Sequence, residues 1–149
     1  MATATREAAL IERTLERIAG AVGDITPQVY EAFFAVHPQT RELFGGAFTM
    51  ARGHMLNEVF MTLIDQANGK PYVGVLIEGT VRDHDSKGVG DLVFYRDFLA
   101  AMQRAIGEAL GDDWPEDERT TFNQQCRLML ANLIEADAAM HRERKTRRR

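Results

Sequence analysis

Apolar positions along this chain recur every three to four residues rather than every two, a pattern that predicts helices from end to end. Residues 6–22 set Leu10, Ile11, Leu15, Ile18 and Val22 on one face, with arginine and glutamate on the other, and Gly23-Asp24 breaks the run. Thr26-Pro27 opens a second helix, with the threonine as cap and the proline in the first turn, and this helix carries Tyr30, Phe33 and Phe34. His37-Pro38 interrupts it, a short helix follows through PQTRELF to Phe44, and Gly45-Gly46 makes a corner. A third long helix over 52–66 has the stripe Leu56, Val59, Phe60, Leu63 and Ile64, ended by Asn68-Gly69-Lys70-Pro71. The helical pattern resumes over 72–83 through Tyr72, Val75, Leu76 and Gly79, and runs into His84. Beyond Gly88 and Gly90, a helix over 92–110 turns Phe94, Phe98, Met102, Ile106 and Leu110 inward. After a corner at 111–115 the last helix starts with Glu116, Asp117 and Glu118, where the helix dipole favours acids. It carries Phe122, Leu128, Met129, Leu133 and Ile134. No strand alternation is present, so the expected class is all-α, with about seven to eight helices.

Composition narrows this only slightly. The 149 residues are one domain's worth of chain, and 45% hydrophobic with 27% charged content is ordinary for a globular protein. A net charge of -4 gives no general attraction to nucleic acid or to a membrane surface, and no apolar run approaches the length of a membrane span. The start of the chain does not read as a secretory signal. The single cysteine, Cys126, excludes an internal disulfide and fits a reducing compartment, so the cytoplasm is the expected location. Charge is uneven at one place. Residues 141–149 are strongly basic and read as a solvated tail beyond a domain covering 1–140.

The chemistry gathers around His84, near the end of a helical run and inside the segment VRDHDSKGV, residues 81–89. A lone histidine on a helix is usually a packed or surface residue. What raises it is the order of four blocks: VYEAFFAVHPQTRELF at 29–44, VRDHDSKGV at 81–89, FYRDFLAAMQRAIGEALGDD at 94–113 and LIEAD at 133–137. Together they resemble the bacterial globins, specifically the single-domain haemoglobins and the globin domain of flavohaemoglobins, over about residues 10–140.

That resemblance implies a globin fold around haem b, iron protoporphyrin IX, with His84 as the proximal iron ligand. Phe44 falls on the aromatic that stacks on the haem, and Pro38 on the proline opening the short third helix. Tyr30 falls on the distal tyrosine that donates to the bound ligand, and Tyr95 with Glu135 on the pair around the proximal histidine. An imidazole whose second N–H is accepted by a carboxylate gains anionic character, which pushes electron density toward iron. Phe34, Val59, Val81, Val89, Phe98 and Met102 are the expected apolar lining of a pocket for a large flat cofactor. The distal-entry position departs from the pattern. His54 and Met55 both compete for it, and helical phase favours Met55, because His54 facing inward brings the charge of Glu58 against the haem.

The implied function is binding of dioxygen or another diatomic gas, by a monomer or homodimer with no nucleic-acid or membrane partner. Turnover of nitric oxide or peroxide, with an external reductase restoring the iron, stays open at this stage. The alternative is a globin-fold sensory or interaction module, without haem. Cys126 has no partner or metal-ligand spacing and receives no role.

Overall fold

The computed structural model describes residues 4–44 and 49–149, the side chains of residues 44, 49 and 50 excepted. Within them the chain is all-α. Helices α1 (Arg6–Val22), α2 (Thr26–Val36), α3 (Thr49–Ala67), α4 (Val73–Ser86), α5 (Leu92–Leu110) and α6 (Glu116–Arg147) follow one another, with 3-10 turns at Pro38–Phe44 and Gly111–Asp113. No helix among the described residues is long and apolar enough to cross a membrane.

Local chemistry explains where the elements begin. The Thr5 hydroxyl accepts the Ala8 N–H at 3.1 Å and donates to the Ala67 carbonyl at 2.9 Å, so one side chain caps α1 and ties it to the end of α3. Asp91 caps α5 by accepting the Val93 N–H at 3.0 Å. At α2 the cap falls one residue before the expected Thr26. Ile25 occupies the cap, Thr26 is already helical, and the Asp24 carboxylate accepts the Thr26 N–H at 2.9 Å. The Thr26 hydroxyl and amide together hold Asp24 below the usual carboxylate range.

The main packing is α2 against α5, α1 and α4 against α6, and α1 against α3. The principal core joins Ile11 and Ile18 of α1, Leu56 and Leu63 of α3, Met102 and Ile106 of α5, and Phe122 and Leu133 of α6. Each such side chain taken fully out of water contributes about 1.5–3 kcal/mol. A second cluster, Tyr30, Phe33, Phe34 and Ala101 with Phe94 and Phe98 against it, seats α2 on α5. At the far end a buried polar network fastens α1 to α6. Glu118 is 2% exposed, accepts Arg17 Nε at 2.9 Å, and lies 3.3 Å from the Thr14 hydroxyl, which also accepts Trp114 Nε1–H at 3.1 Å.

Two expected faces are rotated. On α4 the buried positions are Val73, Ile77 and Val81, while Tyr72, Val75 and Leu76 are 47%, 70% and 45% exposed. Both stripes are apolar at helical spacing, so periodicity alone could not choose between them. On α6 the inward set is Phe122, Cys126, Met129, Leu133 and Met140, and Leu128 and Ile134 face out. Burial pushes the Cys126 thiol up to about 12, which makes it an inert part of the core.

The expected basic tail is also corrected. Helix α6 continues to Arg147, so most of 141–149 is helical. Arg144, Lys145 and Arg147 sit at the negative end of the helix dipole, and two ion pairs bind this end to α4: Arg82 to Glu143 at 2.7 Å and Arg144 to Asp85.

Candidate functional site

His84 lies in the last turn of α4, half-buried, with Nδ1 2.8 Å from the Thr80 carbonyl. A carbonyl oxygen can only accept, so Nδ1 carries the proton in this contact, and the neutral ring holds its lone pair on Nε2. Among the described residues Nε2 has no hydrogen-bond partner. The loop after His84 is close-packed. Gly88 adopts φ +76, and a Cβ on Gly90 would stand 2.9 Å from the Asp85 Cα, so only glycine lets the chain turn back against α4 here.

The aromatic neighbour of His84 is Tyr95, edge-on with ring centroids 5.4 Å apart. Tyr95 is 8% exposed, and its hydroxyl is buried with no hydrogen-bond partner among the described residues. Burial, followed by the negative charges of Asp137, Asp85 and Asp83, pushes this phenol up to about 12.

Glu135, the expected acceptor for the proximal imidazole, is elsewhere. Its side chain is 75% exposed and accepts from Arg142 at 3.1 Å, while the His84 ring is held by Thr80. Two residues further along α6, about 200° round the helix, Asp137 is 15% exposed and is the first of three carboxylates, with Asp85 and Asp83, whose charges act on Tyr95. The block LIEAD contains both acids, and about half a turn of phase decides which of them faces inward.

The other wall of the site is aromatic. Tyr30 is fully buried, with ring centroids 5.8 Å from Phe34 and 5.4 Å from Phe98. Burial moves its hydroxyl well above the ordinary phenol range, opposed by the nearby charge of Arg52. The Arg52 guanidinium lies 5.0 Å from the Phe34 ring centroid and 5.8 Å from that of Tyr30, and its Nε is shielded from solvent. The sequence reading missed Arg52. Its signal was its spacing, three residues before Met55 and four before Leu56 on one helix face.

On α3 His54 points outward, its side chain 73% exposed and its Nε2 3.1 Å from Glu58. Met55 and Val59 are half-buried, and Leu56 and Leu63 are closed into the core. Of the remaining expected lining residues, Val89 and Phe98 are half-buried, Phe34 is 1% exposed, and Val81 and Met102 are enclosed in the main core. The Phe44 side chain lies outside the described residues. Thus His84 with Tyr95, and Tyr30 with Phe34 and Phe98, form two groups that meet α5 about one turn apart, at Tyr95 and at Phe98. Glu135 and His54 belong to neither.

Among the described residues no three histidine, cysteine or carboxylate side chains converge as a metal-binding group. An open depression of about 660 Å³ between the starts of α1 and α6, lined by Arg6, Glu7, Glu116 and Asp117 among others, lies at the other end of α6 from His84. Comparison with models of known protein families and with curated protein sequences finds no match.

Proposed function

We propose that this chain is a single-domain haem globin that binds dioxygen or another diatomic ligand, with His84 as the axial ligand of haem b. The observation that carries the reading is the His84 imidazole itself: Nδ1 is committed to the Thr80 carbonyl, and Nε2, which has no hydrogen-bond partner among the described residues, is the ligating atom it offers. Among the described residues His84 belongs to no group of three or more metal-ligating side chains, which suits an iron whose remaining ligands belong to a macrocycle. The hydrogen bond to Thr80 sets the tautomer and orientation that such ligation needs. The Tyr95 hydroxyl beside that ring is buried, and among the described residues it lacks the contact that burial demands.

When bound, the haem supplies reversible binding of a diatomic gas. The chain's own contributions are separate and local. His84 offers the imidazole, and Thr80 holds it. Asp137 sets a negative field on the Tyr95 side. Tyr30, within the aromatic wall of Phe34 and Phe98, offers a neutral hydroxyl donor, because its raised pKa keeps the proton on oxygen at any physiological pH. Met55, Val59 and Val89 provide apolar surface that excludes water. Nitric-oxide or peroxide turnover forms no part of this reading. The residue that argued for it, Glu135, is engaged with Arg142 in solvent.

A second reading, an interaction module that holds no haem, is favoured by one observation: Val81 and Met102 are fully enclosed in the core rather than presented to a ligand. Titration of the purified chain with haemin decides between the two. The proposal expects a stoichiometric Soret band that is lost in His84→Ala and regained with added imidazole. A wild-type chain that takes up no haemin supports the interaction module.

A further inference from the structure

Charge is divided between two parts of this chain. Residues 142–149 hold six of its 18 arginines and lysines beside one acid, Glu143, whereas the residues before them hold 12 cations against 21 acids. The basic part is a built element. It is helical to Arg147, every residue from 141 to 149 is exposed, and the pairs Arg82–Glu143 and Arg144–Asp85 tie it to α4. Arg142 is engaged with Glu135, and the charge of Arg147 bears on Glu143. Lys145, Arg148 and Arg149 have no ion pair among the described residues. Lys145 and Arg148, three residues apart, come to the same side of this tip. No apolar residue follows Met140, which is itself buried, so the tip offers charge and nothing to insert into lipid.

The opposite end of α6 has the complementary sign. Asp112, Asp113, Glu116 and Asp117 are exposed there, and Glu116 and Asp117 line the open depression with Glu7. Its cations offset them only in part. Arg6 reaches Asp117 at 3.6 Å with both side chains more than half exposed, Arg17 is held by Glu118, and Arg119 is exposed. The two ends are separated by a helix of 32 residues, about 48 Å, so they cannot meet within one molecule.

We propose that the basic tip of α6 docks on the acidic corner of a second copy of this chain, so that copies associate end to end. Side-by-side approach brings two acidic bodies together and is opposed, whereas tip-first approach sets opposite charges against each other. The contact joins two different surfaces, so every pair keeps one free tip and one free corner and can extend. Exposed ion pairs are weak and screened by salt, which restricts the association to low ionic strength and high protein concentration. The inference is independent of the haem reading.

The test is sedimentation of the full chain at about 0.01 M salt, where charges are felt over roughly 30 Å, and at about 1 M, where the range is roughly 3 Å. The average mass is expected to rise with protein concentration at low salt and to return to that of a single chain at high salt. A tip variant combines Lys145→Gln, Arg148→Gln and Arg149→Gln. A corner variant combines Asp112→Asn, Asp113→Asn and Glu116→Gln, and leaves Asp117 to accept the Glu118 N–H that it holds at 2.8 Å. Each variant alone is expected to stay a single chain at low salt. Neutralising the tip makes the chain more acidic and neutralising the corner makes it less so, so net charge does not account for loss in both. An equimolar mixture still has one intact tip and one intact corner, and it is expected to form pairs and stop there. A wild-type chain that stays single at low salt, a tip variant that associates like the wild type, or a mixture that forms no pairs would overturn the proposal. So would a single wild-type chain that instead binds duplex DNA or vesicles of anionic phospholipid through Lys145, Arg148 and Arg149.

Discussion

The two groups of candidate residues are built from different physics. On the α2–α3 side, Tyr30, Phe33, Phe34 and Phe98 interlock as tilted and edge-on rings, and the few charges lie outside the cluster or over its faces. On the α4–α6 side, His84 and Tyr95 sit inside a frame of ion pairs: Asp83 with Lys87, Asp85 with Arg144, and Arg82 with Glu143. Aromatic packing depends little on salt or pH, whereas exposed ion pairs depend on both. The contrast teaches that one wall is a rigid template and the other an adjustable one, and that the adjustable wall carries the candidate ligand.

The largest expected effect comes from removing the one group that neither kind of support can replace. His84→Ala is expected to abolish retention of haem, measured as Soret absorbance after gel filtration, with recovery on addition of imidazole. An unchanged spectrum without imidazole would show that another group holds the iron. On the rigid wall the expected effect is smaller and specific. Tyr30→Phe leaves the ring packing and removes one hydrogen bond to a partly charged ligand, roughly 1.5–3 kcal/mol. Dioxygen is then expected to leave on the order of ten to a hundred times faster in stopped-flow displacement, and an unaltered rate would place the hydroxyl away from the ligand.

How much of this was legible in the sequence follows the same division. Helices α1 and α5 run Arg6–Val22 and Leu92–Leu110, where one-sided stripes and clear breakers predicted them. The aromatic cluster of α2 was equally plain, because Tyr30, Phe33 and Phe34 are apolar enough to be inward in any helical packing. The adjustable wall was not. Helix α4 offers two apolar stripes, and the exposed one, Tyr72, Val75 and Leu76, was the one the spacing suggested. On α6 a mixed pattern of Leu128, Met129, Leu133 and Ile134 hid the phase, and with it the choice between Glu135 and Asp137. Arg52 was passed over because a basic residue near a glycine-rich corner reads as solvated unless its helix phase is already known.

That choice between acids can be broken directly. Asp137→Asn removes a negative charge that acts on Tyr95, so the Tyr95 phenol is expected to ionise at lower pH and the haem reduction potential to rise. Glu135→Gln disturbs only an exposed pair with Arg142 and is expected to leave both unchanged. Potentiometric titration of the two variants side by side distinguishes them, and a shift in the Glu135 variant alone would return that residue to the site.

The smallest effect is the one that tests the adjustable wall as such. Arg144 holds Asp85 below the usual carboxylate range, chiefly through their hydrogen bond, and Asp85 immediately follows His84. A carboxyl whose folded-state pKa is depressed stabilises the fold at pH values above its unfolded pKa, about 3.9. That contribution fades as pH falls through the folded value. Asp85→Asn is therefore expected to lower the thermal midpoint modestly at neutral pH, and the gap from the wild type should narrow steadily below about pH 4. Because the pair is exposed, added salt should close the same gap at neutral pH. The aromatic wall supplies the control: the thermal effect of Phe34→Leu is expected to be larger and to persist at every pH and salt concentration tested. If the Asp85 variant behaves like the Phe34 variant, the two walls are held in the same way, and the contrast between them fails.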